Sequence, residues 1–257
     1  MNNEELYKTI FIRKSVRKYD MTPLKDEQLK NIKCFAYNTK QLIPDIKCEF
    51  SFVTHDKVKN ILPIKAPHYI LIYSEKKEGY LMNAGFILQQ VDLFLSSNNL
   101  ASCWLGMAKP SKEVPTLQNN LEFVIMLAFG NTKDKLHRTD TSEFKRKSIS
   151  EISSINGADQ LLEAARLAPS ASNSQPWYFS GDTNEIIVCR EKLSLLKAPI
   201  FNKMNQIDIG IALCHLWFSI YHQGKSASFD YTNSNIPKGY EFMLKVKVEG
   251  DNHANKN

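Results

Sequence analysis

The stretch NAGFILQQVDLFLSSNNLAS, residues 83–102, decides the fold, because a second stretch of the chain follows the same pattern. DIGIALCHLWFSIYHQGKSA, residues 208–227, matches it at an offset of 125 residues. In the first copy Ala84, Leu88 and Val91 recur at helical spacing, and the second copy is apolar on nearly every side. The sequence therefore predicts two equivalent central helices, of which the second is buried all round.

Three further pairs of segments repeat in the same order. They are FIRKS and FKRKS (11–15, 144–148), DEQLKNIKCFA and ADQLLEAARLA (26–36, 158–168), and KAP twice (65–67, 197–199). Offsets near 132 residues are far too long for a solenoid repeat. We expect two tandem half-domains, 1–143 and 144–251, that form a pseudo-dimer within one chain. The polar tail at 252–257 is expected to be disordered.

Each copy has the same predicted elements. An opening helix places Leu6, Ile10 and Phe11 on one face, and second helices are predicted over 25–35 and 157–167. Strands are predicted over 48–54, 68–73, 123–130, 177–181, 185–189 and 241–248. The predicted fold class is α+β, with mixed or antiparallel sheets around the central helices.

Composition excludes several kinds of protein. The net charge of +6 comes from scattered residues and builds no nucleic-acid surface. The most apolar run, Ile207–Tyr221, contains Asp208 and His215 and is too short to span a membrane. Neither GxGxxG nor GxxxxGK[ST] occurs, which argues against a Rossmann fold and a P-loop. A small molecule is the expected partner.

Cysteine and histidine usage bounds the location and the chemistry. The five cysteines form no CxxC pair, and the N-terminus has no secretory pattern, so a reduced, cytoplasmic location is expected. No histidine pairs with Cys or Asp at metal-ligand spacing, so no metal is expected. His215, in the apolar helix, is expected to be a satisfied core residue.

A basic turn follows the first helix. Three cations and a hydroxyl lie within five residues: Arg13, Lys14, Ser15 and Arg17. A phosphate is bound by such a set of donors. Taken alone, this turn and the run at 145–147 are more typical of solvated basic segments.

The segment APSASNSQPW, residues 168–177, is rigid and rich in hydrogen-bonding groups. Pro169 and Pro176 stiffen its backbone. Its polar side chains could meet the imide edge of a heterocycle, with Trp177 packed beneath; they are Ser170, Ser172, Asn173 and Gln175. A helix end that turns into a strand would explain the same residues equally well.

Together, RKSVRKY, APSASNSQPW and NNLASCWLGM (98–107) resemble the FMN-dependent nitroreductase family over nearly the whole chain. Members are normally homodimers with FMN at the subunit interface. The doubled chain resembles a fused pseudo-dimer, as in the putative TM nitroreductase subgroup. The resemblance implies the nitroreductase-like fold.

The resemblance also implies roles for residues. Arg13 and Ser15 would hold the FMN phosphate, with Lys14 and Arg17 on the phosphate or the pyrimidine edge. The run at 145–147 would take the place of a second phosphate-binding pair; it comprises Lys145, Arg146 and Lys147. The isoalloxazine would contact the segment that contains Pro169, Ser170, Asn173 and Gln175. The flavin's reactive nitrogen would be approached by the loop of Leu105, Gly106 and Met107.

The implied function is an FMN-dependent oxidoreductase that takes electrons from NAD(P)H. The acceptor would be a small electron-poor molecule such as a nitroaromatic or a quinone, and no catalytic side chain is expected because the flavin does the chemistry. The alternative is a flavin-binding or sensor protein without turnover. Loops 36–47 and 107–119 would select the substrate.

The two copies differ where a second flavin would bind. Copy one has Tyr37 and Lys40 where copy two has APSASNSQPW, and copy two has Ser150 and Glu151 where copy one has a basic pair. A carboxylate repels a phosphate. We therefore expect one FMN per chain, in a protein that acts as a monomer or as a dimer of chains.

Overall fold

The computed structural model describes residues 2–196 and 198–250; the predicted tail at 252–257 lies outside them. The helices are α1 (Asn3–Ile10), α2 (Asp26–Tyr37), α3 (Tyr80–Ser97), α4 (Ile149–Ile152), α5 (Asp159–Arg166) and α6 (Ala198–His222). The strands of the N-terminal part are β1 (Cys48–Thr54), β2 (Val58–Lys59), β3 (His68–Ser74), β4 (Ala101–Leu105), β5 (Lys109–Pro110), β6 (Leu117–Gln118) and β7 (Leu121–Gly130). The C-terminal part adds β8 (Trp177–Gly181), β9 (Glu185–Glu191), β10 (Ser226–Asp230) and β11 (Tyr240–Glu249).

The chain forms two compact units. The first unit is Phe11–Glu143, and the second unit joins residues 1–10 to the chain from Phe144 onward. The units divide after residue 143, and α1 groups with the second unit rather than with its own copy. In that unit α1 packs on α6, with Leu6 and Ile10 buried. The Tyr7 ring stacks on His222 at a centroid distance of 4.0 Å.

The first unit is built on an antiparallel sheet of order β1-β3-β7-β4, with β6 pairing β7. Strand β3 (HYILIYS) is buried along its whole length, as its continuous apolar sequence predicts. Helix α3 packs against this sheet and against α2, and every residue from Leu81 to Ser96 is buried.

The second unit repeats this topology. Its antiparallel sheet has the order β8-β9-β11-β10, in which each strand corresponds in turn to β1, β3, β7 and β4. Helix α6 occupies the place of α3 and packs on α5. The prediction that His215 is a satisfied core residue is confirmed, because its buried Nδ1 lies 2.9 Å from the Ala164 carbonyl oxygen.

The main difference from the predicted elements is a strand after each central helix. The match at 83–102 suggested one long helix, but α3 ends at Ser97 and β4 begins at Ala101. Asn99 takes a left-handed conformation with φ 58°, and the Leu100 N–H donates to the Leu95 carbonyl at 2.9 Å. This pattern is that of a Schellman helix end. Strand β10 follows α6 in the same way.

Most of the other predicted elements agree with the structure. Strands Cys48–Thr54 and Trp177–Gly181 have the predicted bounds, while α6 begins at Ala198, well before the predicted Ile207. Pro199 fits the start of α6, since the first turn of a helix needs no proline N–H. Among the described helices, none combines the length and apolar character needed to cross a membrane.

Candidate functional site

The basic turn of the first unit is anchored by a buried ion pair. Arg13 is 1% exposed, and its Nε lies 2.9 Å from Oδ2 of Asp92, which is 0% exposed. A guanidinium can be buried at this depth only with a charged partner. Arg13 is therefore neutralised from inside the unit, and its role on a phosphate stays a prediction.

Asp92 is the centre of a wider network. The Ser102 hydroxyl donates to its Oδ1 at 2.5 Å, and Gln89 Nε2 donates to its Oδ2 at 3.2 Å. Gln89 Oε1 in turn accepts from Trp104 Nε1 at 3.3 Å. The network thus joins the basic turn, through α3, to the end of β4. Sequence reasoning missed Asp92, although a lone carboxylate in an apolar helix was a signal.

Ser15 has a hydroxyl hydrogen to offer. Its Oγ accepts from Arg13 Nη2 at 3.2 Å, so its own O–H remains able to donate to an anion. The backbone around it is fixed, because the Val16 N–H donates to the Ser102 carbonyl at 3.0 Å. Lys14 is half-buried and Arg17 is exposed, and neither forms a salt bridge within the described chain.

Arg138 brings a second guanidinium to this turn. Its Nη1 donates to the Arg13 carbonyl oxygen, and its backbone N–H donates to the Ile12 carbonyl at 2.8 Å. Burial, and then the charge of Arg13, lower the pKa of Arg138 to about 10. A second guanidinium thus lies against the backbone of the basic turn. Sequence reasoning missed Arg138, which lies in a long loop without a motif.

The loop after β4 is open. Leu105 is buried as the last residue of the strand, opposite Met126 in β7. Gly106 and Met107 follow it and are exposed, Met107 at 57%. Their backbone groups are accessible to a ligand.

In the second unit the polar segment makes an unusual turn. Ser172, Asn173 and Gln175 have φ angles of 52°, 57° and 49°, in the left-handed region. Non-glycine residues take this conformation at a cost, and such residues cluster at functional sites. Pro169 and Trp177, which flank the turn, are buried, and Ser170 Oγ accepts from the Gln175 N–H at 2.9 Å.

The run Lys145-Arg146-Lys147 clamps this turn. Arg146 Nη1 donates to Asn173 Oδ1 at 2.5 Å, and Asn173 Nδ2 donates to the Lys145 carbonyl at 2.8 Å. The Lys147 N–H donates to Gln175 Oε1 at 2.7 Å, and Gln175 Nε2 donates to the Asn173 carbonyl at 3.0 Å. The structure thus brings the run to the polar segment, and the two amide side chains are satisfied there.

A buried carboxyl group holds the start of the turn. Both oxygens of Asp208, in α6, lie 3.1 Å from the Ala171 nitrogen, whose N–H they share. Burial raises the pKa of Asp208 to about 8, an effect that this hydrogen bond only partly offsets. The first copy has Asn83 at the matching position, and its Oδ1 accepts from the N–H groups of Leu42 and Ile43 at 2.9 and 3.0 Å. Each central helix therefore holds the loop that follows the second helix of its copy.

Ser148, the counterpart of Ser15 in the second copy, already uses its hydrogen-bond donors within the chain. Ser148 caps α4, and its N–H and hydroxyl donate to Glu151 Oε2 at 2.7 and 2.8 Å. These bonds hold the pKa of Glu151 below its ordinary value, the backbone bond most strongly. A carboxylate thus uses the donors that a phosphate would need. In the described part of the chain, no group of three His, Cys, Asp or Glu side chains could hold a metal.

Comparison with known families agrees with this arrangement. The family described as putative TM nitroreductase matches residues 5–220. The chain belongs to this family. Membership places this nitroreductase-family chain among the oxidoreductases. No curated protein matches its sequence.

Several solved structures are similar to this chain. A putative nitroreductase from Thermotoga maritima MSB8 is 19% identical with a TM-score of 0.62, covering 97% of this chain and 94% of its own. A nitroreductase family protein from Clostridium difficile 630 is 22% identical (TM-score 0.47), covering 59% of this chain and 96% of its own. An FMN-dependent nitroreductase from C. difficile R20291 is 13% identical (TM-score 0.42), covering 57% and 100%. Family membership and the similarity to the Thermotoga protein make this nitroreductase family member an α+β protein of the nitroreductase-like fold.

Proposed function

We propose that this chain is an FMN-dependent oxidoreductase that passes electrons from NAD(P)H to a small electron-poor acceptor, such as a nitroaromatic or a quinone. Family membership supports the class. The observation that carries the cofactor assignment is the basic turn of the first unit, where Ser15 keeps a hydroxyl hydrogen to donate and Arg138 bonds to the carbonyl of Arg13.

The donors of this turn fit a phosphate monoester. Such a group carries a charge of about −1.5 to −2 and takes up several hydrogen bonds. Ser15 would donate its hydroxyl, and Lys14, Arg17 and Arg138 would supply charge. Arg13 would act from behind, since its buried side chain, neutralised by Asp92, orients Ser15.

The ring of the flavin would be held by backbone groups. In the first unit the accessible backbone is that of Gly106 and Met107. In the second unit it is the clamped turn at 170–175, whose Asn173 and Gln175 amides are used internally. That both segments act on one flavin stays a prediction from the family resemblance.

Bound FMN would supply the redox chemistry, with hydride taken from the nicotinamide and electrons passed to the acceptor. The protein's part is to bind, to orient and to stabilise developing negative charge with fixed N–H donors. A rigid turn suits this task, because donors that are already in place need no reorganisation. No side chain is assigned as a general acid or base.

The proposal also covers the location, the partners and the oligomeric state of the protein. It acts on small molecules in the cytoplasm, without nucleic acid or membrane, as a single chain or as a dimer of chains. The alternative function, flavin binding without turnover, differs from it in one measurable respect, which is reduction by a nicotinamide.

A visible spectrum of the purified protein tests the proposal. Flavin bands that bleach when NADH or NADPH is added without oxygen are the expected result. Bands that persist with both nucleotides would favour the protein without turnover. A purified protein that neither carries flavin nor binds added FMN would overturn the proposal.

A further inference from the structure

Two lysines face each other on a small ladder of the first unit. Strands β2 and β5 pair antiparallel, with Lys59 directly opposite Lys109. Both side chains are exposed. Directly opposite residues have Cβ atoms about 4.5–5.5 Å apart, and like charges at this spacing destabilise a ladder. The pair is therefore a cost to the fold of the free protein.

Within the described residues, no salt bridge offsets this cost. Asp56 and Glu113, the acids of the two loops that carry the ladder, both contact Lys57, Asp56 at 3.5 Å. In the described chain no salt bridge reaches the remaining lysines of these loops, which are Lys59, Lys65, Lys109 and Lys112. Segments 55–67 and 107–119 hold five lysines and two acids, so they supply +3 of the net charge of +6.

The lysine pair has a fixed position beside the open loop after β4. Lys109 lies two residues after the exposed Met107, and Ala108 between them is buried. The Ser111 N–H donates to the Lys57 carbonyl at 2.8 Å, which ties the two loops together beyond the ladder. In the sheets described for the second unit, no such ladder occurs.

We propose that Lys59 and Lys109 form a docking site for a phosphate group of the nicotinamide dinucleotide. This inference rests on the proposed function, because it assigns the reductant's binding surface. Two ammonium groups on one face suit a dianionic phosphate. Each would be attracted to the phosphate, and its negative charge would offset the repulsion between the two lysines. The phosphate is either the 2′-phosphate of NADPH or the pyrophosphate that NADH and NADPH share.

Direct binding distinguishes these two sources. Adenosine 2′,5′-bisphosphate carries the 2′-phosphate, and ADP-ribose carries the pyrophosphate; each is titrated calorimetrically into the flavin-loaded protein. In K59Q/K109Q we expect about tenfold weaker binding of one of them, with a difference that shrinks at high salt. The control K30Q/K133Q removes two exposed lysines of the same unit and leaves binding unchanged.

Steady-state kinetics provide the second readout. In K59Q/K109Q the KM for the reductant rises about tenfold, while kcat and the KM for an uncharged quinone stay constant. Unchanged binding of both probes, an equal loss in the control, or a rise in the quinone KM instead would overturn the inference. Failure of the proposed function looks different, since neither nucleotide would then bleach the flavin of the unmodified protein.

Discussion

Arg13 and Asp92 form an ion pair inside the first unit, with Nε and Oδ2 2.9 Å apart and both side chains no more than 2% exposed. Removal of one partner leaves a buried charge without compensation, which costs about 3–5 kcal/mol. We expect Asp92→Ala to lower the free energy of unfolding by an amount in this range, as measured by urea titration.

The double variant R13M/D92M tests the cause. Replacing both charges by apolar side chains of similar size is often close to neutral. It should therefore recover the part of the loss that comes from the uncompensated charge of Arg13, while the Ser102 and Gln89 donors still lack their acceptor. Lys8→Ala, which breaks an exposed pair with Glu4 at 3.5 Å, serves as the control and should cost at most about 1 kcal/mol. A double variant as unstable as the single one would contradict the ion-pair explanation.

Asp208 makes stability depend on pH. Its pKa is raised to about 8 by burial, from an ordinary value of 3.8. The folded chain therefore retains a proton that the unfolded chain loses, and the stabilisation falls as pH rises through about 8. We expect Asp208→Asn, which cannot ionise, to be more stable than the unmodified protein at pH 9 relative to pH 5.

Unfolding midpoints at the two pH values measure this difference. Asn can still accept from the Ala171 N–H, whereas Ala cannot. Asp208→Ala should therefore be destabilised at both pH values, by about 1–3 kcal/mol for the unsatisfied N–H. Parallel pH profiles for Asp208→Asn and the unmodified protein would show that Asp208 is not the group responsible.

Ser15 and Arg138 are expected to bind the phosphate of FMN and to contact no other part of the cofactor. Each charge-assisted hydrogen bond is worth about 1.5–3 kcal/mol, so Ser15→Ala and Arg138→Ala should each weaken FMN binding about 10- to 150-fold. Riboflavin, which lacks the phosphate, should bind the variants and the unmodified protein alike. Flavin fluorescence titration measures both ligands. Equal losses for FMN and riboflavin would point to a disturbed fold instead.

One flavin per chain is expected, because the second copy of the basic turn satisfies its own donors. Ser148 is bonded to Glu151 through both its N–H and its hydroxyl. Flavin released on denaturation, divided by the protein concentration, should give a ratio near one. A ratio near two would contradict the assignment of Glu151 as the group that fills this place.

The fold could be predicted because its two halves repeat the same pattern. Strands such as His68–Ser74 are apolar runs bounded by clear breaks, and the apolar composition of the two central helices indicates their burial. Strand β4 was missed because it follows α3 after a turn of only three residues. The left-handed conformation of Asn99 ends the helix there. Hydrophobic periodicity does not predict the φ angle of an individual residue.

The site was predicted in its segments and less well in its contacts. The basic turn and the polar segment were found, since each is dense in donors. Asp92 and Arg138 were missed because their importance depends on partners that lie far away in the sequence. The run at 145–147 was expected on a phosphate; the structure shows its contacts with the turn at 173–175, and its role on a phosphate stays a prediction.

The grouping of α1 with the second unit also orders events during synthesis. The first unit, Phe11–Glu143, is complete before α6 has been made. At about 5–20 residues per second, α6 follows α1 from the ribosome after about 10–40 s. Throughout that interval the apolar face formed by Leu6 and Ile10 has no α6 to cover it. The second unit therefore cannot close until α6 has been made.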